Sequence, residues 1–167
     1  MSATLVFQTR NDFAQGRRQG ICTAAAMNWA KKVLEKGAIN SFDEIGLDEH
    51  ILNTQMAALR KLDNDPAEQC DRVGLQMVSN IGNQDWKIGS VKDVIKMGED
   101  NDGAVILFWT NEHTMAYRRQ SKNKEFFDIE VGLYRAETTD EIQKRMKEIT
   151  GPYGELTGAR VVKLKES

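Results

Sequence analysis

The stretch Gln19-Gly20-Ile21-Cys22-Thr23-Ala24-Ala25-Ala26-Met27-Asn28-Trp29-Ala30 is a glycine turn that opens into a helix, with a cysteine in its first turn. From Cys22 onward, Ala25, Ala26, Trp29, Ala30, Val33 and Leu34 recur at three- and four-residue steps. That spacing is the stripe of a helix buried along one face. Lys31, Lys32 and Lys36 crowd the far end, where they complement the negative pole of the helix dipole, and Gly37 supplies a left-handed stop.

A cysteine at such a helix start sits among unpaired backbone N–H groups and the positive end of the dipole, which favours its thiolate. The same position also suits a small buried residue, since free cysteine packs well. Gly20 argues for chemistry, because it lets the backbone turn tightly and lets a substrate approach the N–H groups.

The rest of the chain reads as an α+β domain. Residues 4–8 make a short strand, followed by a polar loop in which Arg17 and Arg18 are either solvated surface or contacts to an acidic partner. A helix over residues 48–62 buries Ile51, Leu52, Met56 and Leu59, with His50 in its first turn as a structural residue. A further helix starts at Pro66 and runs through Val73, Met77 and Val78 to Gly82. Cys70 lies within it, on its packing side or its surface, and is read as inert. Residues 90–97 form a short helix capped by Ser90. The apolar run 103–109 then reads as a central strand, and residues 113–119 and 125–131 as strands joined by the turn 120–123. Residues 138–149 form an amphipathic helix with Thr138 and Glu141 at capping-box spacing, broken by Gly151-Pro152-Tyr153-Gly154, and residues 159–165 close the sheet. Helices therefore come first and an antiparallel sheet second.

With 167 residues the chain suits a single domain spanning 1–167. A net charge of −2 leaves no basic excess for nucleic acid, and no apolar run reaches the length of a membrane span. The first residues lack the basic start and long apolar middle of a signal peptide, so export by the general secretory route is not expected. The two cysteines, Cys22 and Cys70, form no disulfide framework, and no C-x-x-C pairing suggests zinc. No cofactor or metal is expected.

A thiolate nucleophile needs a proton carrier, and the carrier needs an orienting group. Apart from His50, His113 is the one histidine in the sequence. If the turn centres on residues 120–122, His113 and Asp128 lie opposite or one diagonal apart on adjacent antiparallel strands. Phe126, Phe127, Ile129 and Val131 set Asp128 in an apolar strand, where a carboxylate needs a partner. Glu112 points to the other face and is not chosen.

Gly20-x-Cys22 with Trp29 seven positions on, His113 at a strand start and Asp128 in the next strand together resemble the YopT/AvrPphB type of papain-fold cysteine peptidases and the related glutamine deamidases among bacterial effectors. The resemblance spans roughly residues 16–132. It implies a papain-like fold, with an N-terminal helical part packed on a C-terminal antiparallel sheet. It also implies a catalytic triad of Cys22 as nucleophile, His113 as general base and acid, and Asp128 as orienting residue. Papain has a glutamine six residues before its cysteine to help hold the oxyanion, whereas Gly16 stands at that distance here. Gln15 and Gln19 are nearby and neither is assigned.

The resemblance implies a thiol hydrolase acting on an amide of a protein in a target cell, as protease or as Gln/Asn deamidase. Such a protein would be delivered by a specialised secretion system into the target-cell cytoplasm, or otherwise stay in its own. A transglutaminase or acyltransferase uses the same Cys, His, Asp order, and a non-catalytic binding module with an unreactive Cys22 is the reading from another class.

Overall fold

The computed structural model describes residues 3–9, 21–62, 65–81 and 90–165. Its strands are β1 (Thr4–Gln8), β2 (Leu75–Ile81), β3 (Val105–Thr110), β4 (Thr114–Gln120), β5 (Asn123–Asp128), β6 (Gly132–Ala136) and β7 (Leu156–Leu164). The helices are α1 (Cys22–Lys36), α2 (Glu49–Arg60), α3 (Pro66–Arg72), α4 (Val91–Asp100) and α5 (Thr139–Thr150). Among the described residues one sheet of seven strands runs in the order β1-β6-β5-β4-β3-β7-β2, with antiparallel neighbours throughout.

The apolar run in β3 is continuous because helices cover both faces of the sheet. Val105 and Leu107 turn toward α1, where Trp29, Ala30 and Val33 pack with Ala116, Phe127 and Val162. Ile106 and Phe108 turn the other way, onto Val91, Val94 and Ile95 of α4 and Ile142 and Met146 of α5. The indole of Trp29 stacks on Phe127 with centroids 5.4 Å apart and planes 5° from parallel. Each such fully buried side chain contributes about 2–3 kcal/mol of transfer free energy. Together they fix where α1 lies, and hence where Cys22 lies.

The far end of α1 is tied down by charge. Gly37 turns left-handed at φ 87° and its N–H returns to Val33 O. Its carbonyl accepts from Arg118 Nη2 at 2.8 Å. Arg118 and Arg135 both grip the buried Glu125, at 2.6 and 2.7 Å.

Four expectations are corrected. The helix from Pro66 ends at Arg72, and Gly74, at φ 83°, reverses the chain into β2. There Leu75 and Met77 alternate into the core while Val78 is 49% exposed, a period of two that the apolar spacing concealed. The remainder of that expected helix, at Gly82, lies outside the described residues. Ile51 is 52% exposed, one step off the buried line of Leu52, Met56 and Leu59. The strand 125–131 stops at Asp128, where Val131 N bonds back to Asp128 O at 3.0 Å, and the chain returns as β6. Helices do not simply precede the sheet either, since β1 and β2 join it and α4 and α5 cover its second face. The α+β class and the helix bearing Cys22 stand as read.

Candidate active site

Cys22 is the first residue of α1; Ile21 before it offers no side-chain cap, and in the first turn Ala24 N donates to Met56 Sδ of α2 at 3.3 Å. The turn at Gly20, together with Gln15, Gly16, Arg17, Arg18 and Gln19, lies outside the described residues. The first residue of β4 holds the sulfur in place: Thr114 N donates to Cys22 Sγ at 3.4 Å, and the Thr114 and Thr23 hydroxyls lie 2.8 Å apart.

His113 stands immediately before β4, on a short turn fastened by Thr110. The Thr110 hydroxyl accepts from Glu112 N at 3.1 Å and from His113 N at 3.2 Å, while Thr110 N donates to His113 O at 2.9 Å. The imidazole Nε2 lies 2.6 Å from Asp128 Oδ1. That engagement leaves Nδ1 as the ring nitrogen available to the Cys22 sulfur, and the thiolate and imidazolium stabilise each other's charge. The β4–β5 register pairs Ala116 with Phe127. One further step sets Met115 opposite Asp128, and so His113 one diagonal away, as the spacing required.

Asp128 is fully buried at 0% exposure. Its Oδ1 also accepts from Glu130 N at 3.0 Å. The Tyr153 hydroxyl lies 3.2 Å from Asp128 Oδ2 and 2.5 Å from Glu130 Oε2, and its single proton serves one of the two at a time. The Tyr153 ring lies on the imidazole with centroids 4.1 Å apart. Burial and the two carboxylates push the Tyr153 phenol well up, so it remains a donor.

Burial disfavours charge on both reacting groups, yet each holds the other charged. Burial pushes the Cys22 thiol up, but the hydrogen bond and charge of His113, with help from Thr114, outweigh it and leave the thiol more acidic than usual. Burial likewise pushes His113 down, and Asp128 and Cys22 overcome it, raising the imidazole to about 10. The arrangement therefore favours a thiolate–imidazolium pair at neutral pH. Cys70 differs: it is fully buried, and burial raises its thiol despite Arg160 nearby. His50 is exposed in the first turn of α2, away from this cluster.

Cys22, Thr23, Met56, Thr110, His113 and Thr114 open onto a cleft of about 430 Å³ that Trp109 and Arg160 also line. Among the described residues no three His, Cys, Asp or Glu side chains could hold a metal ion, and no helix is long and apolar enough to cross a membrane.

The sequence therefore named the three residues that meet, and missed those that fix them. Tyr153 stood in a Gly-Pro-Tyr-Gly segment legible only as a helix stop. Thr110, Thr114 and Glu130 are ordinary residues whose contacts depend on the fold. Glu112 is exposed, as its alternation with His113 implied.

No protein-family model and no curated protein sequence matches this chain. Its fold does match solved structures. The Pseudomonas avirulence protein AvrPphB aligns over 98% of this chain and 97% of its own, with a TM-score of 0.57 and 12% sequence identity. PatoxP, a cysteine protease-like domain of the Photorhabdus asymbiotica toxin PaTox, aligns over 96% of this chain and 53% of its own, with a TM-score of 0.52 and 11% identity. The fold is thus the papain-like α+β fold of the AvrPphB type.

Proposed function

We propose that the protein is a cysteine-dependent hydrolase that attacks an amide of a target-cell protein, cleaving a peptide bond or deamidating Gln or Asn, with Cys22 as nucleophile, His113 as proton carrier and Asp128 as orienting group. The observation that carries this reading is the imidazole held 2.6 Å from a fully buried carboxylate and lining one cleft with the helix-start sulfur, which the amide of the next residue, Thr114, contacts at 3.4 Å. The likeness in fold to an avirulence protein and a toxin domain supports a bacterial protein delivered into another cell.

The Cys22 thiolate adds to the amide carbonyl carbon, forming a C–S bond. The oxygen that becomes negative faces the Cys22 N–H at the positive end of α1. The His113 imidazolium gives its proton to the leaving nitrogen and the C–N bond breaks, releasing an amine from a peptide bond or ammonia from a side-chain amide. A water molecule then passes a proton to the imidazole and attacks the thioester, the C–S bond breaks, and thiolate and imidazolium are restored. Asp128 holds the ring in place through its hydrogen bond with Nε2.

Target-cell lysate incubated with wild-type protein or Cys22→Ala, followed by mass spectrometry, tests the reading. New N-termini that depend on Cys22 mean proteolysis, and Gln or Asn conversion adding roughly one dalton to unbroken chains means deamidation. Lysates indistinguishable between the two proteins would count against both.

A further inference from the structure

The Cys22 sulfur has a second pair of neighbours that the reaction above does not use. Thr114 opens β4 directly after His113, and its N–H donates to Cys22 Sγ at 3.4 Å. Its hydroxyl lies 2.8 Å from that of Thr23, the residue after Cys22 in α1. Thr114 is buried and Thr23 half-buried, and both line the cleft with Cys22 and His113. The Thr114 hydroxyl turns about one bond only, so the partner that fixes its rotamer also decides whether it faces the sulfur that its own amide touches. Thr23 is that partner.

Two hydroxyls at this distance share one hydrogen bond, which uses the proton of one and leaves that of the other for a further acceptor. A thiolate only accepts, and the amide and the hydroxyl of Thr114 both make the Cys22 thiol more acidic. We propose that the Thr114 hydroxyl donates to the Cys22 thiolate while its oxygen accepts from Thr23, which makes Thr114 a further catalytic residue and Thr23 the positioning residue that acts through it. The sulfur is then served by two chains, Thr23–Thr114 and Asp128–His113. The hydroxyl acts whenever the sulfur carries charge: before attack, and again as the C–S bond of the acyl-enzyme breaks and its electron pair returns to sulfur. This rests on the hydrolase reading and adds to it the groups that set how readily the thiolate forms and leaves.

The test needs no known substrate. The pH at which Cys22 alkylation by iodoacetamide reaches half its plateau is measured in wild type, Thr114→Val, Thr114→Ser, Thr23→Val and the double valine variant. His113 is the titratable group acting on Cys22, and it stays in every variant, as do Arg60, Glu112 and Arg160 of the same cleft. Thr114→Val keeps the amide and should raise the midpoint by roughly one pH unit, which is about tenfold less thiolate below it, and Thr114→Ser should restore it. A less acidic thiol is the better nucleophile once ionised, so the plateau rate should hold or rise by up to about threefold, whereas a merely structural loss would lower it. Thr23→Val should raise the midpoint by roughly half a unit alone and leave it unmoved in the Thr114→Val background. An unmoved midpoint in folded Thr114→Val overturns the proposal, and a Thr23→Val shift that persists in that background overturns the relay. If Thr114→Val does not fold, the Thr23→Val midpoint decides, and no shift overturns the proposal. A wild-type Cys22 inert to iodoacetamide would instead sink the hydrolase reading, and this inference with it.

Discussion

The ring of Tyr153 lies on the imidazole of His113 with their planes inclined by 18° and their centroids 4.1 Å apart. This contact ties the end of α5 to a turn between β3 and β4, and it keeps water from one face of the His113–Asp128 hydrogen bond. Tyr153 is thus a positioning residue, acting through His113. Tyr153→Phe keeps the stack and loses the hydroxyl on the two carboxylates, so Cys22 alkylation at neutral pH should slow only about two- to fivefold. Tyr153→Ala also uncovers the ring and should cost roughly ten- to a hundredfold. Equal effects of the two variants would assign the role to the hydroxyl alone.

The pair of charges makes a pH prediction. Because His113 is raised to about 10, the imidazolium available to protonate a leaving nitrogen persists through neutral pH and is lost as pH rises through that value. The acid limb lies below the ordinary thiol value of 9.0, where Cys22 takes up its proton. Turnover should therefore be bell-shaped, with its alkaline limb near 10. Stability follows the same signs. The His113 contribution is fully present below the ordinary imidazole value of 6.5 and disappears through about 10, and the Cys22 contribution, present above 9.0, is lost as pH falls through its lowered folded value. Ultraviolet thiolate absorbance of wild type against Cys22→Ala, together with thermal melts across pH, measures both.

Asp128→Asn should lower turnover roughly 10- to 10³-fold, less than the ~10⁴ known for the matching change in serine enzymes, because a thiol ionises more readily than a hydroxyl. Asp128 is fully buried and accepts from His113, Glu130 N and Tyr153, so the substitution should also cost about 1–3 kcal/mol of stability. Denaturant midpoints and activity measured on the same preparations separate the two losses.

Glu125 carries no proposed role in catalysis yet holds two arginines. Glu125→Ala leaves the buried Arg118 without its carboxylate and slackens the tie to Gly37 O at the end of α1. A loss of about 3–5 kcal/mol is expected in chemical denaturation. A change below 1 kcal/mol would mean that solvent replaces the carboxylate readily.

What the sequence made legible was whatever a single element expresses. The stripe around Trp29, the cap at Thr138 and the fifteen-residue hairpin spacing from His113 to Asp128 are local, and each appears where it was read. Residues after Pro66 depart from that reading because Val73, Met77 and Val78 satisfy a helical spacing, whereas the strand's period of two runs through Leu75 and Met77, and the deciding feature is Gly74. Strand β6 is hard to read because it is five residues long and opens on Gly132. Gly132 is required there because a Cβ would strike the backbone of Phe7 in β1, a contact between segments far apart in the chain. Tyr153 and Thr114 face the same limit, since their partners come from other elements.

The most direct test of the central claim is the alkylation rate of Cys22 at neutral pH, read by peptide mapping in wild type and His113→Ala, with Cys70 as the internal reference. Cys22 should react at least about tenfold faster than the buried Cys70 and slow by at least about tenfold once His113 is removed, because burial then raises its thiol against the Thr114 contacts only. A Cys22 that reacts as slowly as Cys70, or at the same rate with and without His113, would contradict the central claim.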